Sequence, residues 1–218
     1  MIKNRRIFES GVALAEALAI DAAGWLRQAI VKKDSAVIAV SGGSTPKVFF
    51  NQLSNQKLDW SKVTITLVDE RAAPEDNPRS NARLLRDNLW RNEAAAAQFV
   101  PLYLNPFISR IAAFDVVVLG MGNDGHTASF FPGGDNLAKA IDPGYADAVV
   151  TMNAPNASEP RLTFTLPRLL AAEHICLHIQ GQDKMQALEK ALAGQDLMEM
   201  PVRAVLNSSK PLDLYWCP

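Results

Sequence analysis

The apolar positions of this chain change period several times, and each change marks an element. Val12, Leu14, Ala15, Leu18, Ala22, Trp25, Leu26 and Ile30 recur at helical spacing behind Ser10, which predicts a long first helix. Residues 36–40 are a short apolar run and read as the first strand, and Pro46 stands where the first turn of a following helix favours proline. Residues 63–68 alternate as a strand and end in Asp69, Glu70 and Arg71; a loop rich in Pro, Asp and Asn then leads to a helix over about 80–90. Short strands are predicted at 100–104 and 115–119. The second half keeps the rhythm, with strands at 148–152, 162–166 and 175–179, an amphipathic helix over 182–193, and a final βα-type unit closing at 202–206. Strands alternating with helices predict an α/β layered fold with a mainly parallel sheet, and with no repeat or linker residues 1–218 read as one domain.

One strand stands apart. Val116, Val117, Val118 and Leu119 form an unbroken β-branched and apolar run, the pattern of a strand buried on both faces. It empties into Gly120-Met121-Gly122-Asn123-Asp124-Gly125-His126. Glycines let a ligand approach main-chain N–H groups closely, and open α/β sheets place their sites at the carboxyl ends of strands. His126 is therefore the candidate general base, since imidazole titrates near neutrality; its alternative is a structural histidine. Thr127, Ala128 and Ser129 behind it suit a helix start, and Asp124 either orients His126 or caps the turn. The glycine spacing also matches a dinucleotide fingerprint, but Pro132, Gly133 and Gly134 arrive too soon for the full helix that a pyrophosphate needs.

Ser41-Gly42-Gly43-Ser44-Thr45-Pro46 joins a buried strand to a helix start, a place that suits phosphate and equally an N-capping turn. No Gly-Lys-Ser/Thr follows, so a Walker-type loop is not supported. Arg71, at the end of its strand, can lie on the same sheet edge as Gly120. Arg161 and Lys184 stand at strand–loop–helix junctions, where an anion clamp would need them. His174, Cys176 and His178 alternate on one strand face but lack a further ligand, so they read as packing residues and no metal is expected.

Composition narrows the classes. Lys+Arg 22 against Asp+Glu 23 gives a formal charge of −1, with no pull toward nucleic acid or an anionic membrane, so any anion must be gripped locally. The two cysteines, Cys176 and Cys217, lack zinc or CxxC spacing and point to a reducing compartment, the cytoplasm. Lys3, Arg5 and Arg6 precede an apolar stretch in signal-peptide fashion, but Glu9, Glu16 and Asp21 break it at helical spacing, and a surface helix fits better.

Taken together, Ser41 to Pro46, Asp69-Glu70-Arg71, Ser80-Asn81, Leu119 to Ser129 with Phe131-Pro132-Gly133, Arg161 to Pro167 and Gly181 to Lys184 resemble the 6-phosphogluconolactonase family in order and spacing over nearly the whole chain. The resemblance implies a Rossmann-like three-layer α/β/α fold of the glucosamine-6-phosphate deaminase/ribose-5-phosphate isomerase type. It implies hydrolysis of a sugar-phosphate lactone, 6-phospho-D-glucono-1,5-lactone, with no cofactor or required metal, by a monomer or weak homodimer. On that basis His126 activates water and Arg71 stabilises the carbonyl or oxyanion. Gly43, Ser44, Thr45, Arg161 and Lys184 would hold the 6-phosphate. Asp69, Asn81 and Asp124 would shape the sugar side, with Gly42 and Gly122 in the binding backbone. The chain departs from the family pattern at Ala72-Ala73, at Arg79 and at Ser158-Glu159-Pro160. The rival readings are an amino-sugar-phosphate isomerase or deaminase, in whose family a Tyr tends to stand at Arg71, and a non-catalytic sugar-phosphate sensor.

Overall fold

Successive strand residues point to opposite faces, so a sheet covered on both sides must sort its apolar residues into two cores. The computed structural model, which describes residues 1–103, 105, 108–155 and 157–218, has that division. Its first half contains β1 (Ile2–Ile7), α1 (Gly11–Lys33), β2 (Ala36–Val40), α2 (Lys47–Ser54), β3 (Val63–Leu67), β4 (Asp69–Arg71), α3 (Asn81–Asn88) and β5 (Gln98–Phe99). The second contains β6 (Val116–Leu119), α4 (Leu137–Ile141), β7 (Val149–Met152), β8 (Arg161–Phe164), α5 (Leu166–Leu170), β9 (His174–Gln180), α6 (Gln182–Ala193), α7 (Arg203–Leu206) and β10 (Leu212–Cys217). Seven strands form a parallel sheet in the order β1-β10-β9-β6-β2-β3-β5. Ile38, Val40, Val116, Val118 and Cys176 face one core with Leu18 of α1, Phe49 of α2 and Leu85 of α3. Their neighbours Val37, Ala39, Val117, Leu119, Ile175 and Leu177 face the other, with Leu137, Leu169, Leu188 and Val205 of the later helices. Three layers follow directly from the alternation.

Helix α1 shows how local sequence sets an element. Ser10 caps it by accepting from the Ala13 N–H at 3.2 Å, and Asp34 ends it in the left-handed region at φ 62°. Leu14, Ala15, Leu18, Ala19, Ala22, Ala23 and Leu26 make the buried stripe, while Val12 at its start is exposed. No helix among the described residues is long and apolar enough to cross a membrane.

Several expectations change. The strand predicted at 63–68 breaks at Val68: Asp69–Arg71 leaves the main sheet and pairs antiparallel with β8, which pairs in turn with β7. This second sheet, β4-β8-β7, buries Asp69 and Glu70. The strand predicted at 100–104 lies earlier, at Gln98–Phe99, where the ladder with β3 pairs Thr64 with Gln98 and Ile65 with Phe99; Val100 makes the last backbone bond, donating to the Ile65 carbonyl at 2.9 Å, and Leu104 is outside the described residues. Thr127 to Phe130 is a tight turn closed by a β-bridge, not a helix start, and Ala128 takes φ 48° within it. Residues 202–206 supply a short helix, and strands β1 and β10 had not been predicted.

Candidate active site

Strands β9, β6 and β2 are neighbours, so the loops at their carboxyl ends meet. With β4, β8 and the start of α3 they enclose a cleft of about 370 Å³. Its floor is tied together from both sides: Ser41 N–H donates to the Val118 carbonyl at 2.9 Å, and Gly120 N–H donates to Ser41 Oγ at 3.0 Å. The Thr127 hydroxyl closes the glycine loop on the Gly120 carbonyl at 2.8 Å.

Inside that loop Gly122 N–H donates to the His126 carbonyl at 2.8 Å, which turns the imidazole back over Gly122. A Cβ on Gly122 would stand 2.2 Å from His126 Nδ1 and 2.4 Å from Asp124 Oδ1, so the close approach requires glycine. His126 Nδ1 and Asp124 Oδ1 are 2.6 Å apart. A carboxylate only accepts, so the ring proton belongs on Nδ1 and the lone pair of Nε2 is left for a ligand. Burial raises the Asp124 carboxyl, but the hydrogen bond and charge of His126 outweigh it and hold the group below its usual range. The imidazole packs against Phe131 at 4.4 Å between centroids, and the Arg161 guanidinium lies over the same ring at 5.7 Å.

The cations come from three elements. Arg71 on β4 and Arg161 on β8 are register partners and leave one face of the small sheet side by side. Burial, and then the charge of Arg71, lower the pKa of Arg161. Lys184 reaches the cleft from the first turn of α6. The acids are arranged as supports. Asp69 accepts from the Ser129 hydroxyl at 2.6 Å, and Asn81 Nδ2 donates to the Asp69 carbonyl at 3.0 Å. Glu70, 1% exposed, accepts the N–H groups of Arg71, Asn81 and Ala82 at 2.7, 2.7 and 2.6 Å, binding β4 to the N-terminus of α3. Burial raises its carboxyl despite those bonds. Arg71 Nε, Arg161 Nε and Asn81 Oδ1 are buried with no partner among the described residues, each a cost of about 1–3 kcal/mol unless a ligand or solvent meets the group.

A family model described as glucosamine-6-phosphate isomerases/6-phosphogluconolactonase matches residues 9–216. A 6-phosphogluconolactonase of Rhizobium meliloti is 52% identical, with 100% of both chains covered. The chain belongs to this family. A 6-phosphogluconolactonase of Pseudomonas putida is 42% identical over 94% of this chain and 89% of its own. The crystal structure of a 6-phosphogluconolactonase from Shewanella baltica superposes with a TM-score of 0.95 at 37% identity, covering 100% of both chains. A monomeric glucosamine-6-phosphate deaminase shares the fold at a TM-score of 0.79 and 20% identity, over 98% of this chain and 97% of its own.

Within the family frame, Gly42, Gly43, Ser44, Thr45, Asp69, Arg71, Asn81, Gly122, His126, Arg161 and Lys184 all line the one cleft. Asp124 does not line it and meets His126 from behind. His178, which was read as a packing residue, and Gln180, which the sequence reading missed, also line it, 3.2 Å apart; alternation along β9 puts them on the same face. Burial pushes the His178 imidazole down to about 4, so it is an uncharged wall. His174 instead stacks on Trp25 at 4.5 Å, at the other end of the strand. Ser129 and Glu70 had no separate signal: Ser129 acts through Asp69, 60 residues away, and Glu70 through backbone N–H groups of Arg71, Asn81 and Ala82. Two of the departures from the family pattern meet in space: Arg79 pairs with Glu159 at 2.9 Å.

Proposed function

We propose that this chain hydrolyses 6-phospho-D-glucono-1,5-lactone to 6-phospho-D-gluconate, a step of the oxidative pentose phosphate pathway. One observation carries the reading: a single cleft holds a carboxylate-paired imidazole together with Arg71, Arg161 and Lys184. An imidazole with a free Nε2 suits activation of water, and a concentration of cations in a chain of net charge −1 suits a phosphorylated ligand.

His126 Nε2 takes a proton from water as the oxygen attacks C1 of the lactone. Arg71, with the backbone N–H groups of the glycine loop, stabilises the oxyanion that forms. When the bond from C1 to the ring oxygen breaks, the imidazolium returns the proton to that oxygen, and Asp124 steadies the charged ring meanwhile. Arg161, Lys184 and the turn Gly43-Ser44-Thr45 hold the 6-phosphate; Asp69 and Asn81 face the sugar. The lactone opens unaided in water, so a general base worth roughly 100- to 10,000-fold is sufficient apparatus. Both cysteines are free and buried, which supports a reducing compartment, the cytoplasm.

The test is lactone hydrolysis followed in competition with glucosamine-6-phosphate turnover. Rapid lactone opening with no release of ammonia is expected. Ammonia release, or a lactone rate equal to the uncatalysed one, would refute the proposal in favour of the amino-sugar or sensor reading.

A further inference from the structure

Arg71 reaches the cleft from a three-residue strand, and a long guanidinium so placed needs a second anchor. It has one outside the cleft: Arg71 donates to the backbone carbonyl of Arg79. Arg79 itself does not line the cleft. Its guanidinium runs to the loop before β8, where it donates to the Ser158 hydroxyl and pairs with Glu159 Oε2 at 2.9 Å. Ser158 Oγ donates to the same carboxylate at 2.5 Å, and Ala72 N–H donates to the Pro160 carbonyl at 2.8 Å. The loop after β4 and the loop before β8 are thus joined on either side of Arg71. The Ser158 hydroxyl holds the Glu159 carboxyl below its usual range against the opposing effect of burial, with smaller help from the charges of Arg161, Arg79 and Arg71.

We propose that Arg79 and Glu159 are positioning residues for the reaction: their ion pair locks the Arg79 carbonyl against Arg71 and so fixes how the Arg71 guanidinium meets the substrate. The proposal rests on Arg71 being a substrate-contacting group. Arg79 is more than half exposed, and such pairs add little to global stability. A role in positioning therefore predicts kinetic effects without thermal ones.

The experiment compares kcat and KM for the lactone, and melting temperature, in wild type, Arg79→Ala, Glu159→Ala, the charge exchange R79E/E159R, and Arg71→Ala. Each single change at 79 or 159 is expected to lower kcat/KM about two- to fivefold with the melting temperature unmoved. The charge exchange is expected to recover most of that loss. Wild-type kinetics at 79 and 159 beside an impaired Arg71→Ala would overturn the clamp, as would an exchange no better than the combined single losses. A melting temperature falling in step with activity would overturn it too, by making the pair merely structural. Unaltered kinetics in Arg71→Ala would overturn the assignment of Arg71 itself.

Discussion

Asp124→Asn separates the chemistry of the imidazole from its placement. Asparagine keeps the size of the side chain that lies 2.6 Å from His126 Nδ1, but its amide can donate as well as accept. A donating amide favours the tautomer with the proton on Nε2, which has no lone pair left for water. The change also removes the negative charge that, in the proposed mechanism, steadies the imidazolium. A hydrogen bond to a charged group contributes about 1.5–3 kcal/mol net, which converts to a loss of roughly 10- to 100-fold in rate. The 10,000-fold loss known for a buried triad aspartate is an upper bound, since Asp124 and His126 are 34% and 31% exposed and water competes for both. The assay is proton release at constant pH from freshly generated lactone, with the uncatalysed opening subtracted. Asp124→Asn should lower kcat with KM little changed, and His126→Ala should lower it further, by about 100- to 10,000-fold. An Asp124→Asn enzyme within twofold of wild type would refute the carboxylate-held tautomer; a fully active His126→Ala would refute the base.

Arg161→Ala and Lys184→Ala should each raise KM for the phosphorylated lactone while leaving an unphosphorylated gluconolactone little affected; an equal effect on both ligands contradicts the phosphate role. Gly122→Ala forces a Cβ to 2.2 Å from His126 Nδ1, so kcat should fall at least about tenfold with the melting temperature nearly constant. His178 has a folded-state pKa of about 4, below its ordinary value of 6.5, so its contribution to stability is present above pH 6.5 and lost as pH falls toward 4. Urea unfolding should therefore show His178→Leu losing about 2 kcal/mol less than wild type between pH 7 and 4.5. A parallel pH profile in the two proteins would rule that out.

What the sequence disclosed depended on how local the signal was. Helix α6 begins and ends where the amphipathic pattern placed it, because Gly181 and Gly194 flank it. Strand β6 declares itself by four apolar residues in succession, as a strand buried on both faces must. Strand β1 does not, since it is an edge strand in which Lys3, Arg5 and other polar residues interrupt any alternation. The second sheet was hidden for another reason. Asp69-Glu70-Arg71 has no strand-like composition and is extended only because β8, some ninety residues on, supplies its hydrogen bonds. Gathering the candidate side chains was a matter of topology: residues at the ends of β2, β6 and β9 converge in any parallel sheet where those strands are neighbours. Their support by Ser129 and Glu70 depends on where those side chains point, toward Asp69 and toward the start of α3, and no spacing rule reports that.

The small sheet also carries the strongest electrostatic argument about the cleft. Like charges directly opposite one another on paired strands are unfavourable, and burial makes them more so. Arg71 and Arg161 are such a pair, with Arg161 only 7% exposed. A fold has no packing reason to keep two guanidinium groups there, since apolar residues would fill the same space without the repulsion. Asp69 and Glu159 offset part of it, but Asp69 is hydrogen-bonded to Ser129 and Glu159 is paired with Arg79. An anion entering the cleft would relieve the remaining positive potential. A phosphorylated lactone brings that charge on arrival, and its hydrolysis adds a carboxylate at C1. If these cations bind the substrate as proposed, the added carboxylate predicts that they hold the product more tightly than the lactone. Inhibition by 6-phosphogluconate should accordingly weaken when either arginine is replaced, and an unchanged inhibition constant would break the link between this charge cluster and the ligand.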